Sequence, residues 1–168
     1  MDFSPQKNVG NRIAIVSAKT MLWYVLFVVL LFGVPVFDNL KSAEIPDVFK
    51  NKRHLFAGET PVFIEIADDQ DERIKGLSGR SELKYGEGML FIFDNEKYHG
   101  IWMKDMNFAI DIIWLDENLQ VVSIKENATP ESYPESFKPE RKALYVLEVP
   151  SGFVKKEGIK INDQITLF

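Results

Sequence analysis

The sequence predicts a mainly β fold: a compact β-sandwich or jelly-roll-like barrel with two short helices, preceded by one transmembrane helix. Three observations carry this expectation. From His54 onward, short runs of β-branched and aromatic residues are separated by glycine, proline and asparagine, and only two stretches carry helix-capping signals. Two of those runs, Met89–Phe93 and Phe108–Leu115, are apolar at nearly every position, as in strands covered on both faces. Finally, Met21–Phe37 holds no charged residue.

Residues 1–20 carry Lys7, Arg12 and Lys19 against Asp2, a net +2 that leaves −7 of the total −5 to the remainder. A basic flank before an apolar run of this length reads as a cytoplasmic N-terminus followed by a transmembrane signal anchor over 21–37, with Trp23 and Tyr24 at the interface. Lys41-Ser42-Ala43 lacks the small residue a cleavage site needs at its first position, so an uncleaved anchor is favoured over a signal peptide. The expected localisation is the cell membrane, single-pass, with the C-terminal domain outside; cleavage would make the protein secreted. Residues 38–53, mixed in charge and containing Pro46, read as a tether, and 54–168 as one β-rich domain.

Within that domain, His54–Ala67 reads as two strands about a Gly58-Glu59 turn. Asp68 or Asp69 caps a short helix that Gly76 ends and that is expected to plug one end of the sheet. Met89–Phe93 and Phe108–Leu115 are the covered strands. A Glu117-Asn118 turn, with Asn118 suited to positive φ, returns Leu119–Lys125. Residues 126–142, with Pro130, Pro134 and Pro139, look too irregular for a regular element, and a loop of that length is often functional. Ala143–Val149 is a further strand, then a turn at Pro150–Gly152, a short helix over 153–157 and a last strand, Gln164–Phe168.

Composition excludes several classes. With no cysteine there are no disulfides, thiolate metal sites, cysteine nucleophiles or lipidated cysteines. An acidic domain without a basic stripe argues against nucleic acid. No phosphate-cradling glycine loop or Gly-x-Ser-x-Gly elbow occurs, and nothing demands a cofactor.

Asp111 interrupts the second covered strand on the face of Ile113 and Leu115, so it must be buried and must find donors or a cation. Lys104 and Asp105 are the nearest charges. This stretch is expected to hold either a structural Lys104–Asp111 ion pair or the floor of a ligand site. Glu65 and Glu148 also lie within strands, and Arg80 follows a Ser-Gly turn. If the sheet closes, Glu65, Arg80, Lys104, Asp111 and Glu148 would converge on one polar cluster. A carboxylate pair there would suit hydrolysis, and Glu65, Asp111 and Glu148 a hard cation, although no calcium loop is present and no metal site is expected. Trp102, Met103, Met106 and Phe108 line an apolar pocket or simply pack in the core. His99 reads as a loop residue, and Asn127-Ala-Thr129 matches a glycosylation sequon.

Phe63–Ala67, Glu72-Arg73 with Gly76-Leu77, Gly88–Phe91, Trp102–Lys104, Ile110–Ile112, Tyr145–Glu148 with Gly152, and Gly158-Ile159 with Asp163 occur in an order and spacing that resembles the ancient-conserved-region proteins of domain-of-unknown-function family 192. The resemblance spans residues 54–168. It implies a compact β-rich fold of sandwich or jelly-roll type, often exported or membrane-tethered, and no established activity. Where that family usually reads Trp-Met-Lys-Asn-Thr, this chain has Asp105 and Met106; the usual Gly-Asp is Asn162-Asp163. A cysteine pair that some relatives carry in the loop matching 126–142 is absent. The binding candidates are therefore Glu65, Arg80, Trp102, Lys104, Asp111 and Glu148, and the expected function is a ligand- or partner-binding envelope module, with a small ligand or an envelope protein as partner. The alternative is an exported hydrolase using the carboxylate and lysine cluster.

Overall fold

A computed structural model describes residues 54–167. β1 (His54–Ala57) and β2 (Thr60–Ala67) form the expected hairpin, followed by α1 (Gln70–Lys75) and β3 (Glu87–Lys97). Then come β4 (Ile101–Trp102), β5 (Ile110–Leu115), β6 (Val121–Ala128), a 3-10 turn at Pro130–Ser132, β7 (Ser136–Phe137), β8 (Ala143–Pro150), α2 (Phe153–Glu157) and β9 (Thr166–Leu167). Seven strands form one sheet in the order β6-β5-β8-β3-β2-β1-β9, and β4 and β7 make a separate two-stranded ribbon. Only β2 and β3, which α1 connects, run parallel.

The sheet curls into a half-barrel. Gln164, just before β9, bridges Gln120, just before β6, although those strands stand at opposite ends of the order. Val121 N–H donates to the Asp163 carbonyl at 2.9 Å, Asn162 N–H to Val121 at 2.8 Å and Ile165 N–H to Leu119 at 3.0 Å. Leu55, Val121, Leu147 and Ile165, drawn from the whole width of the sheet, consequently share one apolar cluster, which Phe153 and Val154 of α2 plug. Met89, Phe91, Ile112, Trp114 and Val146 face the other way and pack against Leu77, Ile101 and Met103. Alternate residues of β3 and β5 thus feed two cores, which explains strands apolar at nearly every position.

The mainly β class and the two short helices agree with the sequence, but the layering is one curled sheet rather than two stacked sheets. Asp69 caps α1, accepting from Glu72 N–H at 2.7 Å. α1 buries no residue and lies on the outer core, so the plugging role belongs to α2. In the β5–β6 turn the positive φ falls on Leu119 (62°), not Asn118. The cause is Asp116, whose Oδ1 accepts from both Asn118 and Gln120 N–H at 2.9 Å and shifts the left-handed residue by one. Residues 126–142 are more regular than expected, since they hold the end of β6, the 3-10 turn and β7. The anchor over 21–37 and the tether lie outside the described residues; within these, no helix is long and apolar enough to cross a membrane.

Candidate functional site

Adjacent register places Glu65 (β2), Met89 (β3), Glu148 (β8) and Ile112 (β5) in one row across the outer face. Asp111, one residue from Ile112, points to the other face. It is fully buried, and both carboxylate oxygens are occupied by backbone donors: Oδ1 by Asn127 N–H at 2.8 Å and Oδ2 by Val154 N–H at 2.9 Å. Val154 lies in the first turn of α2, whose N-cap, Gly152, has no side chain to do this. Asp111 is therefore a remote cap that ties α2 and the end of β6 to β5.

The expected Lys104–Asp111 pair does not form. Lys104 is exposed, and its Nζ lies 5.9 Å from the centre of the Trp102 ring. With Asp111 on the opposite face, the proposed five-residue cluster reduces to Glu65, Arg80 and Glu148, and the three-carboxylate cation site dissolves. The reason is strand parity: a single residue in β5 decides which side a side chain serves.

Arg80 grips Glu65 through two parallel bonds, Nη1 to Oε1 at 2.5 Å and Nη2 to Oε2 at 2.8 Å. This lowers the Glu65 carboxyl from its usual range and raises Arg80. Arg80 is presented by two loops laced together. Ser78 Oγ donates to the Lys104 carbonyl (2.8 Å), Gly79 N–H to the Asp105 carbonyl (2.8 Å) and Asn107 Nδ2 to the Arg80 carbonyl (2.7 Å). Asp105 has φ 55° and Asn162 has φ 74°. Two of the family departures, Asp105 and Asn162, thus fall in the left-handed region, where asparagine, aspartate and glycine interchange most readily. Asn127 of the sequon is committed to structure: its Oδ1 accepts from Ser151 Oγ at 2.9 Å.

Glu148 is only 5% exposed, and no hydrogen bond or ion pair reaches its carboxyl among the described residues. Burial pushes its pKa up to about 8 against a smaller opposing pull from Arg80. The side chain faces a cavity of about 260 Å³. α1 and the following turn supply Arg73, Ile74, Gly76 and Leu77 to its wall, β3 supplies Phe91 and Phe93, and the β4 ribbon supplies Ile101 and Trp102. Trp102, 46% exposed, stands at the rim with its ring 6.3 Å from that of Tyr133. Of the six binding candidates, Glu148 and Trp102 line this cavity, Glu65 and Arg80 adjoin Glu148, and Lys104 and Asp111 take no part in it.

Arg73 is a cavity residue that sequence reasoning did not single out. Its Nη1 donates to the Ile92 carbonyl at 2.8 Å and to the Asp68 carbonyl, and its guanidinium lies 5.4 Å from the centre of the Phe93 ring. The available signal was a basic residue fixed in a short helix, but its reach to β3 is set by tertiary packing. His99, stacked on Phe93 with 3.6 Å between ring centres, has its pKa lowered by burial and adjoins the cavity only through that ring.

The profile of the DUF192 family, described as an uncharacterised ancient conserved region, matches residues 53–167. The chain belongs to this family. UPF0127 proteins of Thermococcus gammatolerans and Thermococcus sibiricus are 29% and 30% identical to it, over 61% and 69% of this chain. The matches cover 65% and 70% of those relatives, so this chain spans about two thirds of their length. A Novosphingobium aromaticivorans protein of unknown function has a similar structure, with TM-score 0.61 and 30% identity over 67% of this chain and 81% of its own. A Sinorhizobium meliloti protein named as a candidate transcription regulator gives TM-score 0.63 and 27% identity, covering 68% of this chain and 90% of its own.

Proposed function

We propose that this DUF192 domain binds a small molecule in the cavity between α1, β3 and β4, with Glu148 as its polar anchor and Trp102 at its mouth. The observation that carries this reading is a buried carboxyl, without a hydrogen-bond or ion-pair partner among the described residues, facing open space lined by aromatic and aliphatic side chains and by the basic and polar groups of α1. Buried acids without partners cost stability, so a fold that keeps one beside a cavity has a use for it there. At about 260 Å³ the cavity lies near the small end of ligand pockets, which suits a metabolite-sized molecule better than a peptide. The apolar run at 21–37 and its basic flank support the accompanying reading of a single-pass anchor displaying the domain outside the cytoplasm, as an envelope module.

The test is a fragment screen on the full-length chain by NMR. Hits that shift Leu77, Ile101 and Met106 methyls, and that weaken in Trp102→Ala, support the site; hits confined to other surfaces, or none, overturn it. Alkaline extraction of membranes tests the anchor: release of the protein into the soluble fraction would reject it.

One observation favours the hydrolase alternative, namely two carboxyls on one face with opposite pKa shifts. However, Glu65 and Glu148 stand two strands apart, about 10 Å at the backbone, and Arg80 engages both oxygens of Glu65. Binding is the better-supported reading.

A further inference from the structure

Two ionisable groups of opposite kind line the cavity, the acid Glu148 and the guanidinium of Arg73. Glu148 sits beside Met89, near the start of the outer face of β3. Arg73 is fastened to the Ile92 carbonyl, three residues further on, a rise of about 10 Å along the β3 backbone. Among the described residues neither pairs with a charged side chain, and Arg73 bonds through Nη1 alone. Arg73 is half-buried, so water compensates its charge only in part. Between the two groups the wall is apolar, with Phe91 and Phe93 below and Ile101 and Trp102 opposite. Two more cations stand near. Lys75 lies on the same side as Arg73, and Arg80 is already held by Glu65.

We propose that the cavity selects a dipolar amphiphile, a molecule with a primary amine at one end and a carboxylate at the other, separated by an apolar body. This rests on the small-molecule reading above and names its ligand class. The amine donates to Glu148 and the carboxylate accepts from Arg73, so the buried carboxyl and the half-buried guanidinium each gain a partner of opposite charge that the described residues do not supply. The aromatic wall covers the apolar body. Binding an ammonium converts Glu148 from acid to carboxylate, and its proton leaves to solvent. The other ionisable groups around Glu148 are Arg80 and, through it, Glu65 on β2 and Glu87 at the start of β3, with Arg73 and Lys75 on α1; the β3, β4 and β5 residues beside Glu148 and along the cavity, Met89, Phe91, Phe93, Ile101, Trp102 and Ile112, are apolar. These cations favour the carboxylate once the ligand is seated.

The probes are ω-aminooctanoate, whose flexible chain can shorten to lie between the two groups, together with octylamine and octanoate. Each is titrated calorimetrically into the full-length chain and into Glu148→Gln. The proposal expects ω-aminooctanoate to bind at least about tenfold tighter than either one-ended probe. It also expects proton release at neutral pH, read as a binding enthalpy that differs between phosphate and Tris. Glu148→Gln should weaken ω-aminooctanoate and octylamine by about tenfold or more and leave octanoate unchanged. Equal affinities for the three probes, or an octanoate loss in Glu148→Gln matching that of the amines, overturn the ligand class. If no probe binds while library fragments still shift the cavity methyls, the ligand class falls and the cavity reading stands. If neither binds, both fall.

Discussion

Glu65 and Glu148 occupy the same row on the same face of the sheet, separated by Met89, yet they are held in opposite protonation states. Arg80 keeps the first ionised through two short bonds, and burial keeps the second protonated. A carboxyl whose folded pKa is raised destabilises the fold between its unfolded and folded values, because only the unfolded chain ionises there. For Glu148 that window runs from about 4.5 to about 8.

Stability should therefore fall as pH rises through this window. At 1.4 kcal/mol per unit, the full effect is about 5 kcal/mol. Urea unfolding across the pH range should show Glu148→Gln gaining on wild type by several kcal/mol from mildly acidic to mildly alkaline conditions. A constant difference would contradict the assignment. Glu65 acts in the opposite sense: its folded pKa is depressed, so its contribution is present above the unfolded value and lost in acid. Being more than half exposed, it should contribute well under about 1 kcal/mol.

Asp111→Ala should cost about 2 to 4 kcal/mol, since two buried N–H groups lose their acceptor and α2 loses its cap. Lys104→Met should change stability by less than about 0.5 kcal/mol. The double variant should equal the sum of the singles. A coupling energy above about 1 kcal/mol in denaturant titrations would reinstate the ion pair that the geometry rejects.

Gly88→Ala should destabilise by about 1 to 3 kcal/mol, because a Cβ there would lie 2.9 Å from the Glu148 carbonyl oxygen and 3.0 Å from Val62 Cγ1. At Asp105, glycine or asparagine should be tolerated and valine should cost about 1 kcal/mol or more, given the left-handed backbone. Thermal unfolding of these variants orders them.

Trp102→Ala should leave stability within about 1 kcal/mol of wild type while weakening cavity ligands, since the ring is half exposed and its neighbour Tyr133 is too. In acrylamide quenching, Trp102 should be accessible and Trp114, 1% exposed, protected; ligand should shield the former alone.

Much of this arrangement was legible beforehand. Strand positions followed from short apolar runs, the covering of both faces of β3 from the lack of an exposed side in Met89–Phe93, and the burial of Asp111 from its parity with Ile113; that a single curled sheet does the covering did not. Its partners were not legible. Asn127 and Val154 lie 16 and 43 residues away, and their donors are backbone groups that no side-chain pattern records. The nearest charge in sequence, Lys104, was a misleading guide for the same reason. Glu148 was visible as an acid in an apolar strand, but its isolation depends on Arg80 turning toward Glu65. Arg73 was invisible as a cavity group because its bond to the Ile92 carbonyl spans 19 residues and exists only in the folded packing.

The bridge between Gln120 and Gln164 has a consequence for how copies of this protein meet. An open sheet ends in rows of bare peptide groups that can recruit another strand and seed aggregation. Here the chain before β9 already occupies the start of β6, and β9 itself offers only two residues. The rest of β6 carries Lys125 and Glu126, then a left-handed Asn127 where the pairing with β5 slips. Curling the sheet thus guards its margins as well as enclosing a core, leaving little bare peptide edge on β6 and β9 for a neighbouring strand to pair with.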